Sequence, residues 1–380
     1  MAQPTVVHSA TATSKKNNNF QKVTKEPSTS WGSKDRHKRD SSVSFPNLLK
    51  HNLKEKGYSN TTVQIISMAW RNTTQKTYST YVLRWVQYCN SKHINISCPT
   101  IPQFCEFLID QKEKFNLGYS ALNTCRSAIS SIAEKVENFN LGQHPIVCAL
   151  LKGMYHMNPP KARYAVYWDV NVILKLFQSW GPNSNLSLKY LSYKVSVLLL
   201  LVTSARGQMI VHLPVDSMQC TNNIVFRMQD LLKHNHPGDA LDTVVLFPFD
   251  EDENICIVRA VKCYLKMTEN LRKNSKYLLI SDQKPHNDIS GETLSRWTKQ
   301  VFMFAGIDIA KYSRHSVRGA STSKAKSLGI SVSNIMKHAR WRSAESFAKH
   351  YDKKVQETDV AQIILENAVK KNVALKLRKN

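Results

Sequence analysis

The chain has 380 residues, 42% of them hydrophobic, with 53 Lys and Arg against 28 Asp and Glu, a formal net charge of +25. That length allows two domains of ordinary size plus a tail, and that apolar content excludes a chain too polar to bury a core. A charge excess of this size points to a polyanionic partner, either nucleic acid, whose neutralised phosphates release counterions, or an anionic membrane surface; no basic amphipathic anchor stands out to favour the membrane.

In chain order, residues 1–45 are rich in Ser, Thr, Asn and Lys with almost no periodic apolar positions, and are expected to be a disordered basic tail. Within them Lys34, Arg36, Lys38 and Arg39 form a cluster that reads as a nuclear-import signal, a phosphate-contacting arm or a solvated tail. The first residues, Met-Ala-Gln-Pro, are followed by polar residues, so no signal peptide is expected. The longest apolar run, Val197 to Val202, is too short to span a bilayer. The eight cysteines include no Cys-x-x-Cys pair, which argues against a zinc ribbon or a thioredoxin-like site. These features together predict a reduced, soluble, intracellular protein.

From 46 to 157 the pattern is helical. Tyr78, Tyr81, Val82, Trp85 and Cys89 recur at three- and four-residue steps, with Thr73 or Thr74 as N-cap. Ile101 to Ile109 starts a second helix after Pro99. Leu122, Cys125, Ala128, Ile129, Ile132 and Val136 mark a third, capped by Ser120, and a shorter helix covers His144 to Gly153. Arg71, Lys76, Arg84 and Arg126 fall on the polar faces; Lys76, Arg84 and Arg126 each read as a phosphate contact or as an ordinary solvated cation. Residues 158–164 (Asn-Pro-Pro-Lys-Ala-Arg-Tyr) break the periodicity and predict an extended linker carrying Lys161 and Arg163.

The second domain, 165–355, opens with Asp169 capping a helix through Val172, Ile173, Leu176 and Phe177. A strongly apolar helix from Leu191 to Thr203 must be buried, and Arg206 follows it directly. Two β-type runs, Ile224 to Met228 and Thr243 to Pro248, flank a turn-rich connection that holds Lys233, His234 and His236. Helices are expected again at Cys256–Lys266, Ser290–Ala305, Ser316–Leu328, Ser331–Lys337 and Ala344–Lys349, and residues 356–380 form a tail with an amphipathic segment from Val360 to Leu377. The predicted class is mainly α with a small antiparallel β-sheet.

Six side chains of this second domain carry a chemistry when taken together. Cleaving a phosphodiester without a metal needs a nucleophile, positive charge around a pentacoordinate phosphorane and a proton for the leaving oxygen. Tyr351 offers the phenol; Arg206 and Arg318 offer forks that match phosphate oxygens. Lys233 can donate a proton, His315 can accept or relay one near neutral pH, and the Trp341 indole can donate to a non-bridging oxygen. Each alone reads equally as a surface arginine, a capping histidine or a packing aromatic; the set in this order points to strand cleavage through a phosphotyrosine. Neither a metal-ligand set nor a nucleotide-binding loop accompanies them, so no cofactor is expected.

The stretches Thr203-Ser-Ala-Arg206-Gly-Gln, Leu231-Leu-Lys233, Tyr312-Ser-Arg-His315-Ser-Val-Arg318-Gly-Ala and Trp341 through Tyr351 resemble the tyrosine recombinase (phage integrase) family, and are most similar to the versions carried by eukaryotic mobile elements of the DIRS and Crypton type. Thr77, Tyr78, Trp85 and His144-Pro145 resemble that family's core-binding domain. The resemblance covers about 60–355. It implies an N-terminal helical core-binding (SAM-like) domain and an α+β catalytic domain that together clamp double-stranded DNA in a C shape. It also implies attack by Tyr351 to leave a 3′-phosphotyrosyl bond, with Arg206, His315 and Arg318 on the phosphate and Lys233 as general acid. Four protomers would synapse two sites, with the 360–377 helix docked on a neighbour or folded back on its own domain, in the nucleus.

The sequence departs from the family at Met209, where many members place an acidic residue that orients the first arginine. The family's His/Trp position falls on Trp341 by its ten-residue spacing to Tyr351, with His338 the alternative one turn earlier; His234 or His236 could share the acid role of Lys233. An active site-specific recombinase, a DNA-binding derivative that no longer cuts, and a relaxing nuclease with the same chemistry are the three functions this set allows. The filled catalytic positions favour the first.

Overall fold

The structure is a computed structural model and describes residues 43–232, 235, 238–341 and 343–355. The tail to residue 42 with its basic cluster, Lys233, His234, His236, and the 360–377 segment lie outside the described residues. Internal contacts divide the chain into two compact units, Met1–Pro160 and Lys161–Asn380.

The first unit is built from α1 (Phe45–Glu55), α2 (Asn60–Ser67), α3 (Asn72–Lys92), α4 (Ile101–Phe115), α5 (Tyr119–Ser130), the short strands β1 (Lys135–Val136) and β2 (Phe139–Asn140), and α6 (Pro145–Met157). Ser44, Ser59 and Thr100 accept backbone N–H groups at the starts of α1, α2 and α4, and Thr100 with Gln103 completes a capping box. Trp85 centres the core, its ring edge-on to Phe107 at 4.8 Å and its indole N–H donating to the Ile96 carbonyl at 3.0 Å. Three sequence expectations are corrected. Arg71, not Thr73 or Thr74, is the N-cap of α3. Gly118, not Ser120, caps α5. The third helix stops at Ser130, and Val136 belongs to a hairpin whose two-residue turn, Glu137 and Asn138, has φ of 51° and 66°; a run of apolar positions at helical spacing does not reveal that reversal.

The second unit runs β3 (Val166–Tyr167), α7 (Val170–Ser179), α8 (Leu188–Thr203), α9 (Gly207–Val211), β4 (Met218–Cys220), β5 (Ile224–Arg227), β6 (Thr243–Leu246), α10 (Ile257–Thr268), α11 (Gly291–Phe304), α12 (Arg314–Ser327), α13 (Val332–Ala339), α14 (Ala344–His350) and β7 (Lys354–Val355). Helix α8 is the axis. It is buried on nearly every side, from Leu191 to Leu201, and is packed by α10, α11 and α12. Asp169 accepts the Asn171 N–H and caps α7.

Strands β4, β5 and β6 form an antiparallel sheet in that order, with Met218 opposite Phe226 and Ile224 opposite Leu246. The first of them was not legible in the sequence, because β4 buries no side chain fully and shows no alternating pattern. A parallel pair, β3 with β7, was also unexpected: Val166 lies opposite Lys354 and Tyr167 opposite Val355. It joins the first element of the unit to the segment directly after Tyr351. Side chains fasten β3 to the start of α12 as well, through Tyr164 to Ser313 at 3.0 Å and Trp168 to Ser316 at 2.9 Å. Among the described residues no helix is long and apolar enough to cross a membrane, and all eight cysteines are free thiols.

Candidate active site

The C-terminal end of α8 organises the site. Helix ends leave carbonyls without partners, and here the chain reverses at Ser204, held at φ 47°. Arg206 then emerges extended and exposed; its carbonyl accepts from Met209 and Ile210 at the start of α9, while its guanidinium makes no hydrogen bond or ion pair to another described residue. The carbonyls of α8 are taken up from outside: Arg318 Nη1 donates to the Ser204 carbonyl at 2.8 Å, and His338 Nε2 lies 2.8 Å from the Val202 carbonyl. A second donation from Arg318, through Nη2, goes to Ala339 at the end of α13. One guanidinium thus caps two helix C-termini, where a cation is favoured by the helix dipole.

Arg318 is 5% exposed, and its Nε is buried without a partner. Burial first, then the nearby Arg206 charge, push its pKa down to about 10. Its guanidinium carbon lies 4.4 Å from the Trp341 ring centre and 5.7 Å from that of Tyr351. Met209, three residues after Arg206, is buried in the core, so this turn offers Arg206 no carboxylate.

Arg206, His315, Arg318 and Tyr351 line one cavity of about 430 Å³, together with Leu200, Ala205, Gly207, Gln208 and Arg314. No carboxylate is among these residues. His315 opens on the cavity; the protein around its ring, and then the Arg314 and Arg163 charges, hold its pKa below the ordinary histidine value, so it is neutral at pH 7. A second hollow of about 290 Å³ shares His315 and Tyr351 with the first and is completed by Ala162, Arg163, Tyr164, Tyr167 and Lys353.

Of the residues singled out in the sequence, four are brought to the first cavity. Trp341 and His338 are not among its lining residues. Trp341 packs behind it, between Arg318, Phe347 and Tyr351, and His338 faces α8. A carbonyl can only accept, so the bond to Val202 requires the hydrogen on His338 Nε2. Burial is the main reason its pKa is also lowered. Among the cations considered for DNA, Lys76, Lys161 and Arg163 are exposed. Arg163 lines the second hollow and donates to Ser313 Oγ at 3.1 Å. Arg84 lies over the Phe115 ring at 3.6 Å, and Arg126 donates to the Gly142 carbonyl at 3.0 Å, so both are partly engaged within the first unit. Arg314, Tyr167 and Lys353 were not singled out. Arg314 had a usable signal: it stands four residues before Arg318 on one helix, hence on the same face. Among the described residues no group of three or more His, Cys, Asp or Glu side chains is placed to hold a metal ion.

No protein-family model and no curated protein sequence matches the chain. Solved structures do. A XerH site-specific recombinase bound to palindromic difH substrate, in a post-cleavage complex, matches with a TM-score of 0.50 at 13% identity, over 81% of this chain and 92% of that one. The chain has the tyrosine-recombinase fold. Two further structures are similar to it at a TM-score of 0.49: XerH in a pre-cleavage complex, at 14% identity over 87% of this chain and 90% of that one, and a Tn1549 transposon integrase fragment with transposon right-end DNA, at 13% identity over 85% and 99%. At such identities the likeness is one of fold. Within the tyrosine-recombinase fold, the cavity at the end of α8 is where the sequence's basic and aromatic groups gather.

Proposed function

We propose that the protein is a site-specific DNA recombinase that cuts and rejoins strands through a 3′-phosphotyrosyl intermediate. The observation that carries this reading is the meeting of Arg206, His315, Arg318 and Tyr351 around one carboxylate-free cavity. Like charges held together in a partly buried space repel one another, and an anion relieves that repulsion. A phosphodiester supplies the anion, and a phenol beside it supplies the nucleophile.

The step balances without a cofactor. The Tyr351 oxygen forms a bond to phosphorus and passes its proton to neutral His315. The bond from phosphorus to the 5′ oxygen breaks, and that oxygen takes a proton, a role we assign to Lys233. Arg206 and the uncommitted N–H groups of Arg318 meet the charge that grows on the non-bridging oxygens. Because one phosphoester replaces another, attack by a different 5′ hydroxyl reverses the step and reseals the strand.

Lys76, Arg84, Arg126, Lys161 and Arg163 are proposed as phosphate contacts away from the reaction, with four protomers assembling on two sites. The Thr203–Gln208 and Tyr312–Ala320 motifs support placing the chain nearest the DIRS and Crypton type of mobile-element recombinase, acting in the nucleus.

Trapping on nicked duplexes tests the reading. Wild-type protein is expected to form a covalent adduct that Tyr351→Phe does not form, while the two bind DNA with similar affinity, because the phosphate-contacting charge is unchanged. Tight, salt-sensitive binding with no adduct from the wild type would instead identify a DNA-binding protein that does not cut.

A further inference from the structure

A third guanidinium shares the cavity, and the reaction just described does not use it. Arg314 is the first residue of α12, one turn before Arg318, and it lines the cavity with Arg206 and Arg318. It is held rather than free to wander: its Nε donates to Ser295 Oγ on α11 at 2.9 Å. Its guanidinium lies directly on Gly207, where a Cβ would overlap Nη1 and Cζ. The residue after Arg206 therefore lacks a side chain where Arg314 needs the space. Among the described residues no carboxylate pairs with Arg314. Burial alone lowers its pKa.

Such a group is costly unless an anion meets it. One phosphodiester carries a single charge and two non-bridging oxygens, which Arg206 and Arg318 already suffice to hold. The cavity, at about 430 Å³, also exceeds a lone phosphate group, which fills only a few water volumes of ~30 Å³ each. We propose that Arg314, seated on Gly207, binds the phosphate next to the scissile one on the same strand, so that the site grips two consecutive phosphates. This rests on the DNA-cleaving reading for the identity of the anion.

The test reads binding, so it does not depend on cleavage. The probe is a duplex carrying the strongest site that the full-length Tyr351→Phe protein recovers from a random-sequence pool. Single phosphates in it are replaced in turn by neutral methylphosphonates. Wherever an arginine meets a phosphate, neutralising that phosphate is expected to cost about tenfold in affinity, and removing the arginine is expected to abolish that sensitivity. Arg318→Gln is expected to become insensitive at one position and Arg314→Gln at the position adjoining it. Arg314→Gln is also expected to flatten the salt dependence of log K by about 0.9. Gly207→Ala, which keeps the charge but displaces it, is expected to lose the same single sensitivity and serves if Arg314→Gln fails to fold. A scan of Arg314→Gln or Gly207→Ala that matches the parent protein overturns the assignment. Insensitivity at the same position as Arg318→Gln also overturns it, since Arg314 would then hold the scissile group. Failure to recover any DNA site would instead sink the recombinase reading itself.

Discussion

The Trp341 ring is a shelf shared by Arg318 and Tyr351: the guanidinium carbon lies 4.4 Å from its centre and the tyrosine ring 4.5 Å. A desolvated cation over an indole gains roughly 2 kcal/mol, and truncating a buried Trp to Ala costs about 3–5 kcal/mol. Trp341→Ala is therefore expected to lower the urea midpoint and to abolish adduct formation, by unseating both groups. Trp341→Phe keeps an aromatic face and is expected to retain most of both. If Phe proves as damaging as Ala to cleavage while preserving stability, the indole N–H itself matters, as the sequence had suggested.

Proton uptake gives a second test. The pKa values of His315 and His338 both lie below the ordinary 6.5, chiefly through burial. Between those lowered values and 6.5 the unfolded chain binds more protons than the folded one, so stability is lost as pH falls through that window. His315 as proton acceptor must be neutral, so the acid limb of the cleavage profile, read as kcat/KM, is expected to have its midpoint below 6.5. His315→Gln should leave a slow reaction without that limb. A wild-type midpoint above 6.5 would count against His315 as the acceptor.

Gly319 on α12 sits against the ring of Tyr167, and a Cβ there would overlap its Cζ and Oη atoms. Tyr167 is 1% exposed and pinned in β3, so it cannot step aside. Gly319→Ala is expected to cost about 1–3 kcal/mol in chemical denaturation. Tyr167→Leu should relieve the clash, giving a double variant more stable than the sum of the two changes predicts.

Lys194 is buried inside α8, its ammonium donating to the Gly181 carbonyl at 3.3 Å. Burial brings its pKa down from 10.5 to about 8, against the opposing pull of Asp252. From about pH 8 to 10.5 the unfolded chain holds the extra proton, so this residue's contribution to stability improves as pH rises through that range. Lys194→Met is expected to raise stability at pH 7 by about 1–2 kcal/mol and to reduce the pH slope. Urea midpoints at pH 7 and 9 check both.

What was legible in the sequence was whatever local periodicity or bulk composition dictates. The buried run ending at Thr203, the capping Asp169 and the two longer strands of the sheet follow from patterns within a few residues. The grouping of Arg206, His315, Arg318 and Tyr351 was readable only as a set of chemically compatible side chains. Their meeting depends on the αL turn at Ser204 and on the carbonyls that Arg318 caps, and neither leaves a local trace. The pairing of β3 with β7 was invisible for the same reason: two-residue strands far apart in the chain have no period to detect. The indole N–H of Trp341 suggests a donor in the sequence, while in the fold its ring packs against Arg318, Phe347 and Tyr351.

The parallel clasp of Val166 and Tyr167 with Lys354 and Val355 limits how far the Tyr351 phenol can travel. The phenol is moored on both flanks, by α14 before it and by β7 three residues after it. Handing Tyr351 to a neighbouring subunit would mean peeling that strand away from Tyr167, which with Lys353 lines the second hollow. On the proposed chemistry each subunit therefore attacks only the DNA that its own arginines grip. Mixing Tyr351→Phe protein with Arg318→Ala protein should leave cleavage dead, because neither partner can lend the other its missing half; restored adducts in the mixture would mean that the tether lets go.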